Sequence, residues 1–344
     1  MLLICQAGFE PLLTRELTEL HGQTMAERGP GWIRASVSPV ARVAEGDRAW
    51  AAGSTLAFPH LTLSGEVELK GDSVNALAQH IAEWFLTSLH GERIEAAWPS
   101  VWAGPQELVG LGRRISAVEK AWGEILKKKL SRVAKLATPE LPRGIGASRG
   151  LFVWFADFGR VFVAREGWRH GQRRMADDPL APSRSYLKVE EAYGVLGGEP
   201  TRGETVCDLG AAPGGWSYSA AKRGARVIAV DNGPLKGGAL DHPLIEHRRE
   251  DAFRFAPVGD EVFDWLFCDL VEEPHHVLQD LVAPWLERGW CRHVVVNLKF
   301  GRVDPVRLLG ELQTTGSVFR RHGDAFLIRH LYHDREEFTV VGTI

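Results

Sequence analysis

From Ser183 onward the chain alternates apolar strand runs with helical runs, and the stretch Val206–Ala221, "VCDLGAAPGGWSYSAA", constrains that rhythm most. An apolar strand that passes through a glycine-rich turn straight into a helix is the opening unit of a doubly wound sheet. Further strand runs follow at "ARVIAVD", "VFDWLFCDL", "RHVVVNLKF", "AFLIRHLY" and "EFTVVGTI", with helices in most of the gaps. In such a sheet ligands sit beyond the carboxyl ends of the strands, and glycine in the first turn lets backbone approach them closely. Gly210, Gly214 and Gly215 supply that turn.

The glycine order narrows the ligand. Gly210-Ala211-Ala212-Pro213-Gly214-Gly215 lacks the middle glycine of GxGxxG, which argues against a dinucleotide and hydride transfer. No GxxxxGK[ST] occurs, which argues against nucleotide hydrolysis. Asp208 precedes the turn, Asp231 closes the next strand, Asp251 follows another in "RREDAF", and Asp269 stands in "FCDL". A carboxylate placed like Asp231 accepts hydrogen bonds from ribose hydroxyls. Asp208 suits an ammonium far better than a diphosphate. S-adenosylmethionine joins that ammonium to a ribose and an adenine.

The first half is mixed α/β. Residues 2–6 and "GWIRASV" read as strands, "EPLLTRELTEL" as a helix, and "PHLTLSGEVEL" as one further strand. A helix over "DSVNALAQHIAEWFLTSL" is capped by Asp72 or Ser73, and "GLFVWFADFGRVFVARE" forms a hairpin turning near Asp157–Gly159. The polar stretch "GWRHGQRRMADDPLAPSRS" marks a domain boundary. At 344 residues there is room for two or three domains. The net charge of −3 means that a polyanion has to be met by local patches. Lys127, Lys128, Lys129, Arg132, Lys135 and Arg143 form the densest such patch, joined by Arg173 and Arg174; Trp168 and Phe300 are candidates to stack on an unpaired base.

Four scattered cysteines, Cys5, Cys207, Cys268 and Cys291, form no CxxC pair or zinc spacing and read as buried thiols. No window approaches eighteen uninterrupted apolar residues, and "MLLICQAGFEPLL" lacks the flanks of a signal peptide. A cytoplasmic protein without metal or membrane is the expectation.

Methyl transfer to a hydroxyl requires two oriented reactants and help with one proton. In "SRSYLKVEEAYGVL", Val189, Ala192, Tyr193 and Leu196 share a helix face, which turns Lys188 away from it. Lys299 follows the strand "HVVVNL", and Asp269 reaches the same sheet edge. Lys188 could lower the Lys299 pKa enough to make it a base, or Lys299 could orient the hydroxyl while solvent takes the proton; Asp269 opposes the first option. Base methylation fits less well: Cys268 stands before Asp269 inside a strand, and no (N/D)PP(Y/F) clamp follows. A non-catalytic RNA-binding or assembly factor would have no need of Lys299 and Asp269 together.

With "DLGAAPGGW", "AVDNGPL", "EDAF", "CDLVEEP", "NLKF", "LYHDREEFTV" and "DDPLAPSRSYLKVEEAY", and "CQAGFE" at the start, the chain resembles the FtsJ-like ribose 2'-O-methyltransferases, strongly after residue 175 and loosely before. The resemblance implies a Rossmann-like S-adenosylmethionine domain at 183–344, a linker at 169–182, a THUMP RNA-binding domain at 56–168 and a ferredoxin-like segment at 1–55. It implies a cytidine of 23S rRNA as substrate, in naked or early precursor RNA, and a monomer is expected. It also implies a Lys-Asp-Lys-Glu tetrad of Lys188, Asp269, Lys299 and Glu337, with Glu337 preferred over Glu336 because it adjoins the last strand. The cofactor set carried over is Ser185, Asp208, Gly210, Ala212, Pro213, Gly214, Gly215, Asp231, Asp251 and Asp269; Ser185 also stands where a helix cap belongs.

Overall fold

Residues 1–36, 55–323 and 325–344 are described in the computed structural model, and the chain divides into two units. One draws on the described part of residues 1–54 and on 59–170, the other on 55–58 and 171–344. The expected boundary at 55/56 adjoins residues 37–54, which lie outside the described residues, as does much of the expected segment 1–55.

The first unit is a mixed sheet of β1 (Leu2–Ile4), β2 (Thr24–Gly29), β3 (Trp32–Ser36), β4 (Leu61–Ser64), β5 (Val67–Lys70), β6 (Trp98–Ala103), β7 (Ala137–Thr138), β8 (Ile145–Phe155) and β9 (Arg160–His170). The order runs β2-β3-β1-β4-β9-β8-β6-β7, with β5 also on β9. The expected hairpin is β8–β9. Its side chains alternate: Leu151, Val153, Phe155, Val161 and Val163 enter one core cluster, whereas Phe152, Trp154, Phe162 and Ala164 enter another. Both faces of the hairpin are therefore covered. The stretch "PHLTLSGEVEL", expected as one strand, is broken into β4 and β5. Gly65 has φ of 62°, outside the β region, yet the pairing with β9 resumes in the same register. Helices α1 (Glu10–Arg15), α2 (Val74–Ser88), α3 (Leu111–Lys129) and α4 (Ser131–Leu136) complete the unit. Ser73 caps α2 by accepting from the Ala76 N–H at 3.1 Å. Leu111, Val118, Trp122 and Leu126 of α3 are buried, while Lys127, Lys128 and Lys129 are exposed.

The second unit is the expected doubly wound sheet. After α5 (Tyr186–Leu196) come β10 (Thr205–Leu209), α6 (Gly215–Ala221), β11 (Arg226–Val230), β12 (Ile245–Arg248), β13 (Phe263–Cys268), β14 (Cys291–Lys299), β15 (Leu327–Arg329) and β16 (Glu337–Thr343). Their order is β12-β11-β10-β13-β14-β16-β15. The first five are mutually parallel, and their nearly continuous apolar runs fit burial on both faces. β16 inserts antiparallel between β14 and β15. That reversal brings the first residue of β16 to the edge where β14 ends, with Glu337 paired opposite Lys299. The short segment Thr55–Phe58 joins this unit: Arg329 donates to the Leu56 carbonyl at 3.1 Å, and Phe58 packs edge-on against Phe338.

Candidate active site

Four elements deliver four charges to one place. Lys188 comes from the first turn of α5, Asp269 follows the last residue of β13, Lys299 ends β14, and Glu337 begins β16. Lys299 Nζ donates to Asp269 Oδ1, to Glu337 Oε2 at 2.5 Å and to Asn297 Oδ1 at 2.6 Å. Lys188 Nζ lies 2.6 Å from Glu337 Oε1 and 3.7 Å from Asp269 Oδ2. An ammonium has three N–H donors, and all three of Lys299 are engaged. Burial works to lower the Lys299 pKa, but Asp269 and Glu337 outweigh it and hold the ammonium above its ordinary value. Burial works to raise Glu337, and Lys188 and Lys299 outweigh that in turn, leaving the carboxyl below its usual range. Lys188 therefore shares carboxylates with Lys299 and does not turn it into a base. The arrangement favours the second of the two options for Lys299, orientation of a hydroxyl. Glu336 is exposed.

Behind the tetrad lie residues that motif reading missed. Asn297 is fully buried; its amide accepts from Lys299 and donates to Asp334 Oδ1 at 3.1 Å and Thr339 Oγ1 at 3.0 Å. Asp334 also accepts from the Leu331 N–H at 2.9 Å and from Thr339. Burial, reinforced by the charge of Glu337, pushes the Asp334 carboxyl up to about 7. A signal for Asn297 was present: it stands two residues before Lys299 on one strand, hence on the same face.

The glycine turn opens from the same sheet edge. Gly210 has φ of 81°, and a Cβ there would stand 2.5 Å from Leu270 Cδ2; at Gly214, φ is 104° and a Cβ would meet Ala239 at 2.5 Å. Both positions exclude other residues. The Ala212–Pro213 peptide is cis. Asp231 accepts from the Ala212 N–H at 3.0 Å with one oxygen and from the Gly233 N–H at 2.7 Å with the other, so each oxygen keeps a lone pair. Asp208 stands in β10 just before the turn, as expected, and its side chain is enclosed. It is 1% exposed, accepts from Ser217 Oγ at 2.6 Å, and burial pushes its carboxyl up to about 7 with the charges of Asp269 and Asp231 adding to the effect. It lies beneath the turn, because its position inside β10 points the side chain into the layer occupied by α6. Asp251 is exposed in the turn after β12, where it accepts from the Phe253 N–H. Ser185 makes no cap bond; its hydroxyl pairs with Ser183 Oγ at 2.8 Å, and a Cβ on Gly215 would meet both hydroxyls at about 3 Å.

Two further expectations meet the structure here. Phe300 is 4% exposed and packs on Phe338 at 4.7 Å, so it is a core residue and not a stacking platform. Cys268 is fully buried within β13 and burial pushes its thiol up to about 12, which removes it as a nucleophile for base chemistry. All four cysteines are buried and unpaired. Among the described residues, no group of three or more His, Cys, Asp or Glu is placed to hold a metal, and no helix is long and apolar enough to cross a membrane.

Residues 181–306, which hold the turn and three of the four tetrad residues, match the FtsJ-like methyltransferase family. A protein of Xylella fastidiosa named Ribosomal RNA large subunit methyltransferase M is 32% identical over 98% of this chain and 97% of its own. The chain belongs to the ribosomal RNA large subunit methyltransferase M family. A namesake from Xanthomonas oryzae pv. oryzae is 31% identical over 99% of this chain and 98% of its own, and one from Laribacter hongkongensis is 38% identical over 67% and 66%. As a member of this family the chain is a methyltransferase that uses S-adenosylmethionine. The residues present fit that cofactor: a glycine turn at the carboxyl edge, lone pairs left on Asp231 at the end of the neighbouring strand, and two serine hydroxyls beside Gly215.

Proposed function

We propose that the chain methylates the ribose 2'-hydroxyl of a cytidine in 23S rRNA, with Lys188, Asp269, Lys299 and Glu337 as its catalytic residues. The observation that carries this reading is the convergence of those four side chains at the sheet edge where the glycine turn opens. S-adenosylmethionine, when bound, supplies an electrophilic methyl group for in-line displacement. Asp231, the turn from Gly210 through Ala212, Pro213, Gly214 and Gly215, Ser185 and Asp251 hold it, and Asp208 supports the turn from below. Lys299, cationic in the folded site, exchanges one of its carboxylate or amide acceptors for the ribose oxygen and orients it. Its positive charge favours the developing alkoxide, and the hydroxyl proton leaves to solvent. Lys188 keeps Asp269 and Glu337 neutralised while Lys299 is engaged with substrate.

The first unit supplies RNA affinity in this reading, with a ferredoxin-like segment at 1–55, a THUMP domain at 56–168 and a linker at 169–182. Exposed Lys127, Lys128, Lys129, Arg132 and Lys135 offer it phosphate contacts. The cytoplasm, a monomeric state and naked or early precursor 23S rRNA complete the assignment. The test is to supply the purified chain with tritiated S-adenosylmethionine and rRNA from a strain lacking the gene, then map the label. A 2'-O-methylcytidine in 23S rRNA is the expected product; label on a base, or no label, rejects the proposal.

A further inference from the structure

The segment that enters the second unit is bolted to the loop preceding β16. Glu191 of α5, fully buried, accepts from the backbone N–H groups of Arg173 at 3.0 Å, Tyr332 at 3.0 Å and His333 at 3.3 Å. The Met175 N–H donates to His333 Nε2 at 3.0 Å, which leaves the proton of the neutral ring on Nδ1. The Arg174 guanidinium lies 5.3 Å from the centre of the Tyr332 ring. Glu191 sits three residues after Lys188, on the same helix face and about 4.5 Å further along the axis. The bolt and the tetrad are therefore neighbours.

The charges at this place do not cancel. Arg174 and Arg184 are exposed and have no carboxylate partner among the described residues. Arg184 stands four residues before Lys188 at the entry of α5, where its carbonyl accepts from the Leu187 N–H at 3.1 Å, so its side chain leaves the chain about one turn before Lys188. Both arginines bear on His333: burial first, then Arg184 and Arg174, keep its imidazole below the ordinary value, against the opposing charge of Asp177. Asp178, the other nearby acid, is committed to Lys222 at 3.0 Å, to the Tyr218 hydroxyl and to the Leu180 N–H. A guanidinium lying over a ring keeps its N–H edge free to donate in the ring-parallel plane, and that fork matches two oxygens of a phosphate.

We propose that Arg174, Arg184 and the Nδ1–H of His333 form a phosphate-binding rim beside the tetrad, which takes the RNA backbone flanking the target ribose. The proposal rests on RNA being the substrate. Rigidity is part of it: three backbone hydrogen bonds to Glu191 hold the segments that carry Arg174 and His333 against the helix that carries Lys188, so a phosphate caught there sets the ribose in register.

The test uses the full chain and deproteinised 23S rRNA from cells lacking the modification. RNA affinity is measured by filter binding across a salt series, beside KM and kcat for methyl transfer. The Arg174→Gln/Arg184→Gln variant should raise the KM for RNA about tenfold. Its plot of log affinity against log salt should be shallower by about 1.4, two single-strand phosphate contacts' worth. Affinity for S-adenosylhomocysteine should stay within twofold, and His333→Ala should give a smaller rise in KM. An unchanged KM and salt slope overturns the rim, as does a fall in kcat alone. If the wild-type chain binds the RNA without methylating it, the substrate reading fails and the salt slopes still decide the rim; if it does not bind at all, both fail.

Discussion

Along one sheet edge the protein uses acids in two different ways. At the ends of β13, β14 and β16, Asp269 and Glu337 answer two lysines, side chain to side chain, and every donor on Lys299 is engaged. At the ends of β10 and β11, Asp231 answers backbone N–H groups and Asp208 answers a serine. The first arrangement can be rearranged by a ligand hydroxyl, because ammonium–carboxylate bonds exchange partners without moving the main chain. The second cannot, because Asp231 holds backbone N–H groups at and beside the turn and Asp208 is enclosed against the first turn of α6. On the proposed reading, chemistry is lodged where the side chains are interchangeable, and recognition where the backbone is fixed.

The sharpest way to break that comparison is to remove the central cation. Lys299→Ala should lower kcat on the order of 10³-fold, within the range for a lost group that acts directly in proton handling or charge stabilisation, while affinity for S-adenosylhomocysteine holds within twofold. Calorimetric titration beside single-turnover transfer checks both halves; equal losses in binding and transfer would mean that the two regions are not separable. Lys299→Arg refines the result. Arginine keeps the cation and cannot act as a base, so a residual rate roughly tenfold above that of Lys299→Ala supports orientation and charge stabilisation. A rate no better than alanine's would instead point to proton abstraction by the lysine.

The turn side should respond in the opposite sense. Asp231→Ala frees the Ala212 and Gly233 N–H groups and removes the proposed ribose acceptor, at an expected cost of about 1–3 kcal/mol in cofactor binding. The expected result is a dissociation constant for S-adenosylhomocysteine raised roughly tenfold or more, by the usual conversion of 1.4 kcal/mol per decade, with kcat at saturating cofactor largely kept. A variant that binds normally and transfers slowly would refute the division of labour.

Local pattern carried much of this edge. The glycine turn, the aspartates near strand ends and the turning of Lys188 away from an apolar helix face are short-range features, legible within a dozen residues. Pairing across the sheet was not. Nothing in "EEFTVVGTI" reveals that this strand runs antiparallel, and only that reversal sets Glu337 opposite Lys299. The choice of Glu337 over Glu336 came from resemblance, and the structure supplies its geometry. Asp334 was missed because one of its buried partners, Thr339, is a near neighbour on the next strand, while the other, Asn297, lies 37 residues earlier, and no window shows all three together. The partner of Asp208 was hidden for a related reason: its position before the turn is visible in the sequence, but the hydroxyl waiting on α6 is not. The same holds for Thr55–Phe58, four residues whose place in the second unit depends on carbonyls taken up by Arg329 and His330.

The smallest expected effect falls on Asp208 and concerns stability more than rate. Its folded-state pKa of about 7 lies above the unfolded value near 3.9, so the native chain holds this proton more tightly. That contribution is fully present below about pH 4 and is lost as pH climbs through 7, by a few kcal/mol at most. Carboxyls held low, such as Glu337, act in the opposite direction, so the informative quantity is a difference between two chains. Asp208→Asn keeps an acceptor for Ser217 and removes the titration. Urea midpoints at intervals from pH 4 to 8 should show the variant gaining on the wild type as pH rises to about 7, then a constant offset. Parallel curves would mean that Asp208 is ionised beneath the turn, with its charge available to a ligand ammonium after all, and the contrast between the two ends of the edge would narrow to Asp231 alone.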